Sequence, residues 1–169
     1  MAARQRRFGD RVEAGERLAE VLAQRVQPPV IVLAIPRGGV VVGACVAERL
    51  DAPLDVVVPR KVGAPGNPEL AVGAVAEGVE AIDEAAVRRL GLDIAAAHFT
   101  RRAGAARVLV AVPVGPAELE QRLRPAVDEV VVLQTPDPYL AVGQAYVRFP
   151  QVGDDEVLRC LEGRARAPR

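Results

Sequence analysis

Tryptophan is absent, and methionine and histidine each occur once. The aromatics are Phe8, Phe99, Phe149, Tyr139 and Tyr146. A core therefore has to be built from Val, Leu, Ile and Ala, in a chain whose residues are 50% hydrophobic. The two cysteines, Cys45 and Cys160, are too few and too far apart in sequence for a disulfide framework or a zinc pattern. Cys45 lies among apolar residues and reads as a small core hydrophobe. The formal net charge is zero, so bulk electrostatics points to neither nucleic acid nor an anionic membrane. No apolar run has membrane-spanning length, and the cationic opening MAARQRR is not followed by an apolar core. The expectation is a cytoplasmic protein. At 169 residues it is expected to form one domain over 8–162, followed by a frayed tail over 163–169.

The order of elements predicts an α/β fold. Leu18, Ala19, Leu22 and Val26 give a helical period over Gly9 to Val26, stopped by Pro28 and Pro29. Val30 to Ile35 is a short continuous apolar run and reads as a strand buried on both faces. Pro36-Arg37-Gly38-Gly39 breaks it, and Val42, Cys45, Val46 and Leu50 resume helical spacing from Val40. Leu54 to Val58 is a second buried strand. Strand, glycine turn, helix and strand make a βαβ unit with parallel strands and a right-handed crossover.

Further on, Leu70 to Val75 and Val79 to Ile82 flank Glu77-Gly78 as a hairpin. Helices are expected from Asp83 to Leu90 and from Ile94 to Ala103, the latter ended by Gly104. Val108 to Val112 and Glu129 to Leu133 read as strands around a short helix over Ala117 to Leu123. Thr135 to Pro138 reads as a loop, Tyr146 to Phe149 as a late strand, and Asp154 as the cap of a last helix through Leu161.

The chemically suggestive stretch runs from Leu54 to Gly78. It holds Lys61, the single lysine of the chain, and Asn67, the single asparagine. Among cations otherwise all arginine, a retained lysine suits a site that needs a compact point charge with three donors. A small pocket around a phosphate oxygen is such a site. A solvated loop carrying Arg60 and Lys61 explains the same residues more plainly. Ligands in open parallel sheets bind at the carboxyl ends of strands. Pro36 to Gly39, Pro59 to Glu69 and Pro113 to Pro116 all leave such ends. Two glycines before a helix let a backbone approach an anion, and Arg37 adds a planar fork. A tight strand-to-helix turn is the plainer alternative. Two cationic strand ends on one sheet edge together favour a polyanion, with diphosphate the natural candidate.

IPRGGV followed by DVVVPRKVGAPGNPELAVGAVAEG resembles bacterial phosphoribosyltransferase-like proteins of the type I fold. RRAGAARVLVAVPVGP and PDPYLAVGQAYVRFPQVGDDEV extend the resemblance, which spans Phe8 to Leu161. It implies a mostly parallel, Rossmann-like sheet flanked by helices, with a smaller hood. It also implies transfer of ribosyl-5-phosphate between phosphoribosyl diphosphate (PRPP) and a nitrogenous acceptor, with Mg2+ carried by the diphosphate. By resemblance, Arg37, Gly38 and Gly39 match the pyrophosphate loop, and Arg60 and Lys61 the cationic pair after the second strand. Gly63, Gly66, Asn67 and Glu69 fall in the flexible covering loop.

The acidic motif that marks this family is missing. Two adjacent acids after a buried strand, then a glycine- and threonine-rich turn, would hold the ribose hydroxyls and the 5-phosphate. Here Leu90-Gly91-Leu92-Asp93 runs into Ile94-Ala95-Ala96-Ala97, and Asp93 has no partner acid. Asp154-Asp155 pairs two acids but reads as a helix cap. The chain reads as a family member with an internal deletion near 93–94, lacking a central strand and part of the hood. Transfer should then be impaired. The unpaired strand edges would re-pair with each other or with a second subunit in a homodimer. His98, beside the junction, reads as an incidental helix residue.

Two readings follow: a PRPP-using transferase with an unidentified base as acceptor, or a catalytically inactive remnant or binding module that keeps the phosphate/pyrophosphate site. A phosphate-ester hydrolase has no nucleophile, metal cluster or paired carboxylate to support it. Tyr139 and Tyr146 could stack on a nucleobase, but an aromatic-poor sheet has more use for them in its core.

Overall fold

A computed structural model describes residues 6–57, 60–64, 67–76, 79–81, 97 and 100–162. The chain forms two compact units. The first is built from Met1–Val56, Val112–Ala117 and Val132–Arg169, the second from Val57–Ala111 and Glu118–Val131.

In the first unit, helix α1 spans Arg11–Ala23. Asp10 caps it, its carboxylate accepting from Val12 N and Glu13 N at 3.1 Å each. Glu13 reaches back to accept from Gly9 N at 2.6 Å, a variation on the reciprocal capping box one residue outside its usual place. Ala14, Gly15, Leu18, Ala19 and Leu22 form its buried stripe. The helix ends at Ala23, so Val26 lies beyond it and the prolines are not what stops it. Strand β1, Val32–Ala34, pairs in parallel with β2, Leu54–Val56, through Val32↔Leu54, Leu33↔Asp55 and Ala34↔Val56. Between them runs α2, Gly38–Leu50. The expected βαβ unit is therefore present, with shorter strands.

Gly38 and Gly39 belong to the first turn of α2, where the composition predicts a loop. Asp51, with φ of 49°, ends the helix in the left-handed region. Ala52 N then donates to Ala47 O and Asp51 N to Glu48 O, the paired bonds of a Schellman close.

Two glycines set the helix spacings. A methyl on Gly43 would lie 3.0 Å from Ala34 Cβ and 3.3 Å from Leu54 Cδ1, so α2 sits directly on β1 and β2. A methyl on Gly15 would lie 2.9 Å from Cys45 Cβ and 3.1 Å from Val42 O. Nearer the start of both helices, Gly38 faces Arg11. The contacts advance together along the two sequences, so α1 and α2 run parallel with their N-termini at the same end.

Ala34, Val40, Ala47 and Leu54 form one buried cluster, covered by Val157, Cys160 and Leu161 of α4, Asp154–Glu162. Phe8, Ala14, Val114, Ala145 and Tyr146 form another, with Leu133 and Tyr139 packed against it. Tyr146 is 5% exposed, so the structure places it in the core. Tyr146 to Phe149, expected as a late strand, forms only one isolated bridge and follows a 3-10 turn. Val142–Ala145 is a 3-10 turn, and Tyr146 makes an isolated parallel bridge to Phe8. Phe8 N donates to Ala145 O, Val147 N to Phe8 O and Arg148 N to Gly9 O. This strap takes its hydrogen bonds from the chain before α1.

In the second unit, β3 (Arg60–Ala64), β4 (Asn67–Ala76) and β5 (Val79–Ala81) form an antiparallel meander. The hairpin around 77–78 is borne out through Val75↔Glu80 and Ala76↔Val79. The Gly/Pro-rich stretch after Arg60, expected as a loop, is instead largely strand. Register shifts flank Gly63, and such irregularities let one strand accommodate this composition.

Residues 100–102 are helical, and Gly104, with φ of 96°, follows that helix. Strands β6, Leu109–Val114, and β7, Glu129–Gln134, form a third ladder. Asp128 N donates to Val108 O at one end and Gly115 N to Gln134 O at the other, so both strands run the same way. Helix α3, Leu119–Leu123, crosses between them in sequence. The helix from Asp83, the junction at 93–94, His98 and the tail from 163 lie outside the described residues.

Candidate functional site

The turn Pro36-Arg37-Gly38-Gly39 leaves the carboxyl end of β1 and opens α2. The Pro36–Arg37 peptide is cis. Val40 N donates to Arg37 O at 3.1 Å, which closes the first turn. The amides at the very start of a helix have no partner within it, and the helix dipole adds partial positive charge there. A methyl added to Gly39 would meet no atom within 4 Å. Glycine at this position is therefore not demanded by packing. It leaves the start of α2 open to a ligand's close approach.

Arg37 extends its guanidinium to α4, where Nη1 lies 3.2 Å from Oδ1 of Asp154. The side chains are 49% and 83% exposed, so the pair is solvated and easily exchanged for another anion. Asp154, which reads in sequence as a helix cap, is instead the first residue of α4, and its carboxylate is spent on Arg37.

A second guanidinium stands at the same end of the helices. Arg11 is the first residue of α1, and a methyl on Gly38 would lie 2.9 Å from its Nε. Its Nη1 donates to Pro150 O at 2.7 Å, and its Cζ sits 3.8 Å from the ring centroid of Phe149. Phe149 in turn lies 4.8 Å from the Tyr146 ring, which is 5.5 Å from Phe8. Arg148 Nη2 donates to Asp10 Oδ2 at 2.7 Å. The strap over 145–150 thus crosses the start of α1 beside the turn.

Electrostatics support this arrangement. Backbone donation from Glu13 N holds the Asp10 carboxyl below its ordinary range, with Arg148 and Val12 N adding to the effect against a smaller cost of burial. Burial pushes the Cys45 thiol upward, with Glu16 and Glu48 adding to it, and burial does the same to Cys160. Cys45 is half-buried and its Sγ donates to Val41 O at 3.4 Å. Both thiols are free and poor nucleophiles.

Of the residues singled out from sequence, Arg37, Gly38 and Gly39 come together at the start of α2. Arg60 and Lys61 lie on β3 in the second unit, opposite Val75 and Ala74. Gly63 pairs with Ala71, Asn67 with Ala64, and Glu69 lies on β4. Gly66 is outside the described residues, as is Asp93. Tyr139 packs against the Phe8 cluster. Arg11 carries no mark in the sequence patterns above, and Phe149 appears there only as an aromatic ending an expected strand. The available signal for Arg11 was Asp10 followed three residues later by Glu13, which places Arg11 at the first helical position.

Among the described residues, no three His, Cys, Asp or Glu side chains are grouped to hold a metal. Asp154 is the carboxylate beside Arg37. No described helix is long and apolar enough to cross a membrane.

No protein-family model matches the chain. Two curated proteins of Mycobacterium tuberculosis, from strains CDC 1551 / Oshkosh and H37Rv, each bear the description "putative phosphoribosyl transferase". Each is 38% identical over 205 residues, covering 92% of this chain and 46% of its own length. The chain spans about half the length of the curated relatives it matches. With 92% of 169 residues aligned, about 155, roughly 50 of the 205 aligned positions have no counterpart here. The crystal structure of TT1426 from Thermus thermophilus is similar with a TM-score of 0.78 and 37% identity, covering 94% of this chain and 99% of that one.

Proposed function

We propose, from the 38% identity to proteins described as putative phosphoribosyl transferases, that the chain is phosphoribosyl transferase-like and that the start of α2 binds the diphosphate group of PRPP or free pyrophosphate. The observation that carries this reading is the turn itself: Arg37 beside an open Gly39 at a helix N-terminus, its charge held by a solvated carboxylate. A diphosphate offers oxygens to the free amides and a planar edge to the guanidinium. Arg60 and Lys61 are proposed to supply further cations. Gly63, Gly66, Asn67 and Glu69 are proposed to belong to the covering segment.

In the enzymatic reading, ribosyl-5-phosphate passes between PRPP and a nitrogenous base within a type I phosphoribosyltransferase-like fold. Departure of pyrophosphate builds negative charge where amides and guanidinium already stand, which is where preorganised donors lower a barrier. Mg2+ would arrive on the diphosphate, since this metal keeps much of its coordination to phosphate and water. When bound it would neutralise part of that charge, with Asp154 the carboxylate at hand.

A second reading, a binding module without turnover, has its own support. Asp93 lacks a partner acid, and the relatives carry roughly 50 aligned positions that this chain does not. We place that missing segment near 93–94, where it would remove the ribose-phosphate half of the site. Calorimetric titration separates the two. Magnesium-dependent binding that favours PRPP over pyrophosphate supports the transferase. Equal binding of both supports the module. Binding of neither contradicts the diphosphate site.

A further inference from the structure

We infer that Arg11 is an anion-binding residue of this site, contributed by α1 and held ready by the strap over 145–150. The inference rests on the diphosphate reading and adds a residue that neither sequence pattern nor family resemblance assigned.

Arg11 differs from the other arginines around it in its partners. Arg17 pairs with Glu13, Arg37 with Asp154 and Arg148 with Asp10. Arg11 has no carboxylate among the described residues. Its recorded partners are a carbonyl, an aromatic face and a glycine, and all are neutral. A guanidinium carries five donors, and the Pro150 carbonyl takes one. The Phe149 ring, 3.8 Å from Cζ, restrains the guanidinium without neutralising its charge. A cation fixed in orientation and left without a counter-charge is arranged for an anion that comes and goes.

Its position fits that role. Arg11 lies against Gly38, the first helical residue of α2, and α1 and α2 begin at the same end. Any side chain at position 38 would meet this guanidinium, so glycine there lets Arg11 close on the turn. Arg37 is neutralised by Asp154, and the standing positive charge is that of Arg11. An incoming diphosphate would engage Arg11 without displacing a carboxylate, then exchange with Asp154 for Arg37. A planar guanidinium beside the amides suits two oxygens of one phosphoryl group.

The test is calorimetric titration of pyrophosphate into the intact chain and its Arg11→Gln, Arg11→Lys and Arg37→Ala variants, with melting curves for each. Arg11→Gln should lose about tenfold in affinity, the scale of one charge-assisted hydrogen bond. Arg11→Lys should recover much of that loss, and Arg11→Gln should show a shallower salt dependence than wild type. If Arg11 served only to pin the strap, Lys and Gln would behave alike and the salt dependence would not move. Wild-type binding that falls in Arg37→Ala but stays unchanged in Arg11→Gln overturns this inference and leaves the diphosphate site standing. Absence of wild-type binding overturns both.

Discussion

Arg37 and Asp154, 117 positions apart in the sequence, form an ion pair of 3.2 Å at the mouth of the β1–α2 turn. The contact joins the N-terminus of α4 to the N-terminus of α2. It makes Asp154 a rival of any anion that binds there. Asp154→Asn should therefore tighten pyrophosphate binding by up to about fivefold, the span of a solvated ion pair. The melting temperature should hardly change. Weaker binding in this variant would mean that Asp154 assists the ligand, for example through its metal.

Gly39 and Gly43 stand four residues apart on α2 with opposite surroundings. Gly43→Ala must push Ala34 and Leu54 away from the helix and should cost about 1–3 kcal/mol. Gly39→Ala meets nothing within 4 Å, and alanine suits a helix better than glycine. Thermal melts should show Gly43→Ala lowered and Gly39→Ala unchanged or raised. Pyrophosphate titration should show the reverse cost, with Gly39→Ala weakened by the methyl at the ligand's approach.

Lys61 lies on β3, its backbone opposite Ala74. If its charge serves the diphosphate, Lys61→Ala should lower affinity by about tenfold. An unchanged titration curve would return Lys61 to the role of a solvated strand residue.

Asp10 and Asp128 tie stability to acid pH. Asp10 is held down by Glu13 N, and Asp128 by Val108 N and then Arg101, which lies 2.6 Å away. Their folded-state carboxyls sit below the unfolded range near pH ~4. Their contribution is thus complete above that range and is lost as pH falls through the lower folded values. Denaturant melts should show stability falling below about pH 4. Asp10→Ala should cost about 1 kcal/mol at neutral pH as a lost helix cap and flatten part of that acid slope. An unchanged slope would show that Asp10 titrates alike in both states.

Much of the first unit is legible in sequence because its signals are local. The stripe Leu18, Ala19, Leu22 and the apolar runs at 30–35 and 54–58 point to α1, β1 and β2 without tertiary help. Glycine misleads twice. Gly38-Gly39 reads as a break in the chain, yet both lie in a helix, with the Arg11 guanidinium resting against position 38. The glycines and prolines after Lys61 argue for a loop, yet cross-strand pairing with β4 outweighs that composition. Tyr146 to Phe149 has a strand-forming composition, but its hydrogen bonds go to Phe8 and Gly9, nearly the whole chain away. The Arg37–Asp154 and Arg11–Pro150 contacts likewise follow from topology, which no local spacing records.

The β1–α2 turn is proposed to bind diphosphate through Arg37 and its neighbouring amides. The most direct measurement is calorimetric titration of magnesium pyrophosphate into wild type and Arg37→Ala. Saturable one-site binding in wild type, weakened about tenfold or more in a variant that melts normally, is the predicted result. Equal affinity in the two proteins would contradict it.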